Sequence, residues 1–135
     1  MKKFLFLIFI VFISNLLVSA QSAKDLEGTW MGYYDCGQGR TGVRLIINEV
    51  SNNKFSGYFQ FFPHYSNYSK NVGIGVTKIS GEFYSSDNVK IDLTEWIYNP
   101  YNYMLVNIQA SMDGTSSING TMLHSSCGDF EVKKQ

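Results

Sequence analysis

The chain has 135 residues, with 11 Lys and Arg against 11 Asp and Glu, so its formal net charge is zero at neutral pH. Because it has no basic run and no basic amphipathic helix, nucleic acid is a poor candidate partner. The length suits one small domain, and an aromatic content of 16%, with nine Tyr, is higher than simple packing requires.

The first twenty residues predict a signal peptide. Two lysines follow the initial Met, the run 4–13 is apolar, and small residues at 18–20 form a cleavage site. A membrane anchor is the alternative, but the apolar run is short for a span and ends in Ser and Asn. We therefore expect cleavage after Ala20, with Ala23 as the alternative, one exported domain over 21–135 in a secreted or periplasmic location, and no membrane span after cleavage.

Beyond the leader, short alternating runs separated by turn signals predict an all-β domain. The predicted strands are 29–36, 42–49, 54–62, 73–84, 88–94, 103–112, 116–124 and 128–133. Compact polar turns at 52–53, 86–88 and 113–114 join strands two and three, four and five, and six and seven. The predicted fold is an eight-stranded antiparallel up-and-down barrel, with a Greek-key sandwich as the alternative.

A pattern of large-x-Gly-x-large residues occurs four times, in four different predicted strands. Glycine weakens a strand interior, so four equivalent glycines need a reason. We interpret them as the bends of a small closed barrel, where inward glycines relieve crowding; chance is the alternative. The four repeats are Trp30–Gly32–Tyr34, Phe55–Gly57–Phe59, Ile79–Gly81–Phe83 and Ile118–Gly120–Met122.

Alternation along the first two predicted strands assigns their faces. Trp30, Gly32, Tyr34 and Cys36 are spaced two apart and therefore share one face of the first strand. In the second strand Arg44 falls opposite three aliphatic residues, so we expect it to be solvated on the outer face.

In an up-and-down barrel the connections alternate between the two ends. The long connections at 37–41, 63–72, 95–102 and 125–128 then share one end, and the tight turns share the other. Cys36 and Cys127 both fall at the loop-rich end, on strands that are neighbours in a closed barrel. We therefore expect one disulfide between them, as an oxidising compartment favours. A nucleophilic or metal-binding thiol is the alternative.

The stretch 26–30 resembles the start of the calycin barrels, which comprise lipocalins, avidins and fatty-acid-binding proteins. Gly28 and Trp30 match their Gly-x-Trp motif. The resemblance implies that Trp30 plugs the closed end and that the loops after strands one, three, five and seven frame the open end. No C-terminal helix of the lipocalin kind is found, so the proportions are closer to those of avidins. The stretch 30–42 also resembles an uncharacterised bacterial extracytoplasmic domain, which implies no activity.

The loop-rich end also carries the candidate binding residues. Flat rings beside amide side chains suit a sugar or another flat amphiphile, because the rings cover its apolar face while polar groups supply hydrogen bonds. Packing of the loops against one another is the alternative. The predicted ligand-binding residues are Arg40, His64, Tyr65, Tyr68, Trp96, Tyr98, Tyr101, Tyr103 and His124.

Three functions follow from this arrangement. The first is a secreted, non-enzymatic protein that binds a small ligand or glycan at the aromatic loop rim, with no cofactor and no metal. The second is an inhibitor or immunity-type protein that binds a secreted enzyme. Tyr34 and Cys36, together with the run 56–58, resemble short motifs of the bacterial C-type lysozyme inhibitors, which are also small disulfide-closed barrels.

The third function is a hydrolase that uses His64 or His124. A histidine pair with Glu95 or Asp129 would offer a metal or acid–base site. No His-x-His, Glu-x-x-His or paired-carboxylate spacing supports such a site. We therefore predict no catalytic residue and no metal ligand.

Overall fold

The computed structural model describes residues 23–85 and 87–135, so the predicted signal peptide lies outside the described residues. The described part begins with a 3-10 helix at Ala23–Leu26, and a second one spans Tyr65–Lys70. The strands of the described part are β1 (Gly28–Cys36), β2 (Gly39–Ser51), β3 (Lys54–Pro63), β4 (Gly75–Phe83), β5 (Asn88–Tyr98), β6 (Ile108–Asp113), β7 (Ser117–Met122) and β8 (Asp129–Lys134).

The strands form one closed antiparallel barrel. Each strand pairs with the next along the chain, and β1 also pairs with β8, with Trp30 opposite Lys134 and Tyr34 opposite Phe130. The predicted up-and-down barrel is therefore confirmed, and the Greek-key alternative is wrong. Closure leaves no free sheet edge between the first and last strands.

The largest boundary error concerns β5 and β6. β5 continues to Tyr98 instead of ending at 94, and β6 begins at Ile108 instead of 103. Smaller shifts place the start of β4 at Gly75 and the start of β2 at Gly39, so that the first connection is a two-residue turn. The third long connection is consequently 99–107 and not 95–102.

Two asparagine side chains account for the late start of β6. The Asn99 side chain donates to the Tyr103 carbonyl and accepts from the Tyr103 N–H, both at 2.9 Å, which closes the chain into a loop. The Asn107 side-chain Oδ1 accepts a hydrogen bond from the Leu93 N–H at 3.2 Å, next to Ile91–Ile108, the last ladder pair of β5 and β6 at that end. Side chains thus replace ladder bonds in a segment whose residue types favour a strand.

The repeated glycines face inward at the bends of the barrel, as predicted. All eight large residues that flank them are buried. An ideal Cβ at Gly32 would lie 1.9 Å from the Glu131 carbonyl oxygen, and one at Gly57 would lie 1.8 Å from the Ile46 carbonyl oxygen. Cβ positions at the other two glycines come within 2.2 Å of an atom on the adjacent strand. The neighbouring strands therefore approach where only glycine leaves room.

The barrel end with the tight turns is filled by Trp30. Its side chain is fully buried, and its Nε1–H donates to the Leu26 carbonyl at 2.8 Å. The Lys134 ammonium lies 5.5 Å from the centre of the indole ring, within the range of a cation–π contact. The first 3-10 helix covers this end with Ala23 and Leu26 buried.

The opposite end carries the disulfide between Cys36 and Cys127, whose Cα atoms are 3.8 Å apart. This pairing confirms the predicted disulfide between the end of β1 and the segment before β8. Arg44 is exposed on the outer face of β2, as the alternation predicts. In the described part of the chain, no helix combines the length and the apolar character needed to cross a membrane.

Candidate functional site

A cavity of about 300 Å³ opens inside the barrel at its loop-rich end. Its walls come from β1, β3, β5 and β7 near their loop-rich ends, and from the connections after β1, β5 and β7. The lining residues are Tyr34, Cys36, Gly37, Gln38, Phe59, Phe61, Leu93, Trp96, Tyr103, Met104, Val106, Met122, His124, Ser126 and Cys127.

Aromatic rings in mutual contact form much of the cavity wall. The ring centres of Tyr34 and Phe59 are 5.4 Å apart. Phe61 meets Trp96 and Tyr103 edge to face, with ring centres 6.0 and 5.4 Å apart. Such pairs hold large side chains in fixed orientations. The packing of these rings therefore pre-forms much of the cavity wall.

The two tyrosine hydroxyls of the wall are neutral. Burial raises the pKa of Tyr34 well above its ordinary value, and its hydroxyl accepts a hydrogen bond from Gln38 Nε2 at 3.2 Å. Burial also raises the pKa of Tyr103, whose hydroxyl donates to the Val72 carbonyl at 2.9 Å. No Asp, Glu, Lys or Arg belongs to the residues that line this cavity. The site therefore offers apolar surface and neutral hydrogen-bonding groups.

His124 and Ser126 lie together at the cavity, where a Ser–His pair could suggest nucleophilic chemistry. The Ser126 Oγ is 2.8 Å from His124 Nδ1, and the Ser126 backbone N–H also donates to that nitrogen. The same two contacts recur between His64 and Ser66, which lie outside the cavity. Because the same His–Ser contacts occur away from the cavity, they indicate a local turn in both places.

The described residues contain no group of three or more His, Cys, Asp or Glu side chains arranged to hold a metal ion. The two cysteines are joined to each other, and neither is a free thiol. The thiol alternative considered from the sequence is therefore wrong.

Three of the nine predicted binding residues line the cavity, namely Trp96, Tyr103 and His124. Trp96 does so from β5 and not from a loop, because that strand extends to Tyr98. Six others lie outside it: Arg40, His64, Tyr65, Tyr68, Tyr98 and Tyr101. A role in ligand binding stays a prediction for all nine.

Arg40 and His64 belong to a polar and aromatic cluster on the outer wall. Arg40 forms two 3.0 Å hydrogen bonds with the Asp35 carboxylate, which raises the pKa of the guanidinium. The Arg40 guanidinium also lies 3.9 Å from the centre of the Tyr33 ring. The His64 ring stacks at 4.3 Å on Tyr65. These contacts engage Arg40 away from the cavity.

Four of the five predicted rim tyrosines lie outside the cavity and are exposed. Tyr65, Tyr68 and Tyr98 are exposed, with Tyr65 at 79%. Tyr101 is also exposed, and its hydroxyl accepts a hydrogen bond from Asn71 Nδ2 at 3.1 Å. The rings therefore surround the end of the barrel without entering the cavity.

Six of the twelve cavity residues that the sequence analysis did not propose lie in strands. Tyr34, Phe59 and Met122 are each the second large residue of a large-x-Gly-x-large repeat. Their strands, β1, β3 and β7, all run toward the loop-rich end. Applying the direction of each strand to the repeated pattern would have selected these three wall residues.

Neither a family model nor a curated protein matches the sequence. Among solved structures, the chain is similar to one described as a redesigned beta barrel, with a TM-score of 0.65 and 14% identity. The likeness covers 86% of this chain and 96% of that one. At this identity the likeness supports the small barrel fold alone, and membership of the calycin superfamily stays a prediction.

Proposed function

We propose that this protein is an extracytoplasmic, non-enzymatic binding protein that holds a small, neutral, largely apolar molecule in the cavity. The observation that carries the proposal is the cavity itself, which is lined by rings and aliphatic side chains at the loop-rich end. Small-molecule sites are typically concave and apolar with a few polar groups. The Cys36–Cys127 disulfide is compatible with an oxidising location outside the cytoplasm.

The volume of the cavity sets the size of the ligand. An engineered apolar cavity of about 150 Å³ accommodates benzene. By that scale a cavity of about 300 Å³ suits a molecule of roughly twelve non-hydrogen atoms, such as two fused rings. A glycan, one of the two ligand classes of the first hypothesis, is a weaker candidate because its hydroxyls would lie against aromatic and aliphatic walls.

The charge of the wall sets the chemistry of the ligand. A carboxylate or ammonium group placed there would lose water without gaining an oppositely charged partner among the lining residues. Gln38, His124 and Ser126 are among the polar side chains of the wall that can form a hydrogen bond with one hydroxyl or carbonyl group. We therefore expect neutral molecules to bind and charged molecules of the same size to bind poorly.

Calorimetric titration with 2-naphthol and with 2-naphthoate tests both properties, since the two probes share a ring system and differ in charge. We expect 2-naphthol to bind in a 1:1 complex and to raise the melting temperature, because a ligand selective for the folded state stabilises it. We expect 2-naphthoate to bind at least tenfold more weakly. Equal affinity for the two probes would contradict a neutral site.

A cavity-filling variant locates the binding. Val106 is buried and lines the cavity, so Val106→Trp should occupy the space and abolish 2-naphthol binding. Val76 lies on β4 at the same end, and its side chain is not part of the cavity wall. Val76→Trp is therefore the matched control and should retain binding. Retained binding in Val106→Trp would place the ligand elsewhere.

The inhibitor-type and hydrolase functions stay predictions. Capture of a secreted enzyme by the outward tyrosines, with no effect of Val106→Trp on that complex, would favour an inhibitor. Turnover of an ester substrate that is lost in His124→Ala would favour a hydrolase. The geometry favours the ligand-binding protein because it supplies a pre-formed cavity.

A further inference from the structure

Exposed apolar side chains are concentrated at the end of the barrel where the cavity opens. Among the described residues, eleven large hydrophobic side chains are exposed, and nine of them lie at this end. The two others are Tyr58 on β3 and Tyr84 in the turn after β4. Such a concentration on one part of a soluble surface marks an interaction site.

Six of these side chains define a surface that we call the apolar rim: Ile74, Ile97, Tyr98, Tyr101, Met104 and Leu123. The contacts between their segments make the rim continuous. Gly73, beside Ile74, packs against the Tyr101 ring and Pro100. The Leu123 N–H donates to the Asn107 carbonyl, which joins the loop after β7 to the loop that carries Met104.

The rim is almost without charge. The long loops 64–74, 99–107 and 123–128 contain Lys70 as their sole Asp, Glu, Lys or Arg residue. The whole stretch 96–112 contains none. The strands carry most of the charged side chains, including Asp35, Arg40 and Glu95 close to this end. The loops that carry the rim are therefore nearly uncharged, whereas the strand ends beside them are not.

We propose that the apolar rim is a docking surface for a lipid bilayer. Ile, Met and Leu side chains on separate loops suit the acyl boundary, and Tyr rings suit the headgroup level. A protein partner is commonly oriented by complementary charges, which the rim lacks, whereas a bilayer surface imposes no register. The rim therefore matches a lipid surface without net charge.

Docking in this orientation places the mouth of the cavity against the bilayer. A neutral apolar molecule dissolves in lipid, so the protein could exchange its ligand with the membrane without releasing it into water. This consequence rests on the proposed function, whereas the docking itself rests on the rim alone.

Binding to vesicles tests the proposal. The protein is purified from the extracytoplasmic fraction of expressing cells, its N-terminus is determined by mass spectrometry, and it is mixed with phosphatidylcholine vesicles for flotation. We expect the protein to float with the vesicles, and raising the salt from 0.1 to 1 M should leave the bound fraction unchanged, because the rim has almost no charge to screen. An anionic lipid should not be required.

Two tyrosines provide a matched pair of variants. Tyr98 on the rim is 61% exposed, and Tyr84 at the opposite end is 50% exposed. Tyr98→Asp should weaken vesicle binding about tenfold, since it replaces an interfacial ring with a charge. Met104→Asp should do the same from a separate loop, and Tyr84→Asp should bind as the unaltered protein does. Equal melting temperatures for the variants establish that they are folded.

Several results would overturn the proposal. They are the absence of flotation, equal flotation of all variants, or a dimer that sedimentation detects and Tyr98→Asp dissociates, since the rim would then bind a second copy. Titration with 2-naphthol is made without vesicles, so a failure of ligand binding leaves the vesicle result unaffected. A failure of docking likewise leaves the cavity result standing.

Discussion

Gly32 offers the most direct test of how the barrel closes. An ideal Cβ at this position lies 1.9 Å from the Glu131 carbonyl oxygen and 2.8 Å from the Glu131 carbonyl carbon and the Val132 Cα. These are backbone atoms of β8, so no side-chain rotation can relieve the contact. Because real Cβ atoms essentially never approach within 3.0 Å of a neighbour, Gly32→Ala must separate β1 from β8 locally by about 1 Å.

The size of the effect follows from that separation. A ladder hydrogen bond of ordinary length that stretches by about 1 Å no longer qualifies as one. Loss of two such bonds costs about 1 kcal/mol each, and overpacking adds about 1–3 kcal/mol. We therefore expect Gly32→Ala to lower the free energy of unfolding by about 3–5 kcal/mol. This is a large fraction of the stability of a small domain.

Urea unfolding followed by far-ultraviolet circular dichroism, with the disulfide intact, measures the effect. Gly128→Ala is the control, because an ideal Cβ at Gly128 meets nothing within 4 Å. A control of this kind should change the stability by less than about 1 kcal/mol, through the entropy of the unfolded chain. If Gly32→Ala and Gly128→Ala have the same stability, inward glycines are not required for closure and the reasoning is refuted.

Three further predictions concern the disulfide, a buried tyrosine and the cavity. Replacing Cys36 and Cys127 by Ser should lower the free energy of unfolding by about 4–5 kcal/mol on the chain-entropy model, as urea unfolding would measure; an unchanged midpoint would contradict it. Burial raises the pKa of Tyr34, so the unfolded state releases its proton first above pH 10 and stability should fall there, by at most about 1.4 kcal/mol per pH unit. Unfolding at pH 9 and pH 11 should show a smaller loss for Tyr34→Phe, and equal losses would argue against a buried neutral hydroxyl. Met122→Ala should enlarge the cavity and lower the free energy of unfolding by about 2–5 kcal/mol. If urea unfolding shows no loss of stability, the cavity wall is poorly packed around Met122.

Most of the fold could be predicted from the sequence because alternation and turns act locally. The inward face of β1 followed from a spacing of two, and Arg44 was correctly assigned to the outer face. The pairing of Cys36 with Cys127 followed from the parity of the strands. These features depend on order along the chain, which the sequence displays directly.

The boundary between β5 and β6 could not be predicted in the same way. Residues 103–107 have strand-like composition, but the Asn99 and Asn107 side chains take the hydrogen bonds that a ladder would use. Which backbone group an asparagine meets depends on the closed barrel around it. The strand therefore begins later than its residue types indicate.

The sequence indicated the end of the barrel at which the cavity opens, but not the residues of the cavity wall. Exposed rings such as Tyr65 and Tyr68 were proposed because loops usually carry binding residues, and they lie at the same end as the cavity. Phe59 and Phe61 fell within the predicted strand 54–62 and were not proposed as site residues, because a strand pattern does not show where the core packing ends and a cavity begins. The volume of the cavity depends on how all the strands pack in the closed barrel. The local residue pattern of a single strand therefore does not reveal it.

Nuclear magnetic resonance of ¹³C-methyl-methionine protein titrated with 2-naphthol tests the central claim most directly. Met104 and Met122 line the cavity, whereas Met112 is buried on β6 outside it and Met31 lies on β1 near Arg44. The account predicts that the methyl signals of Met104 and Met122 shift with saturation while those of Met112 and Met31 do not. Shifts confined to Met112 or Met31, or no shift at all, would contradict a ligand site at the loop-rich end.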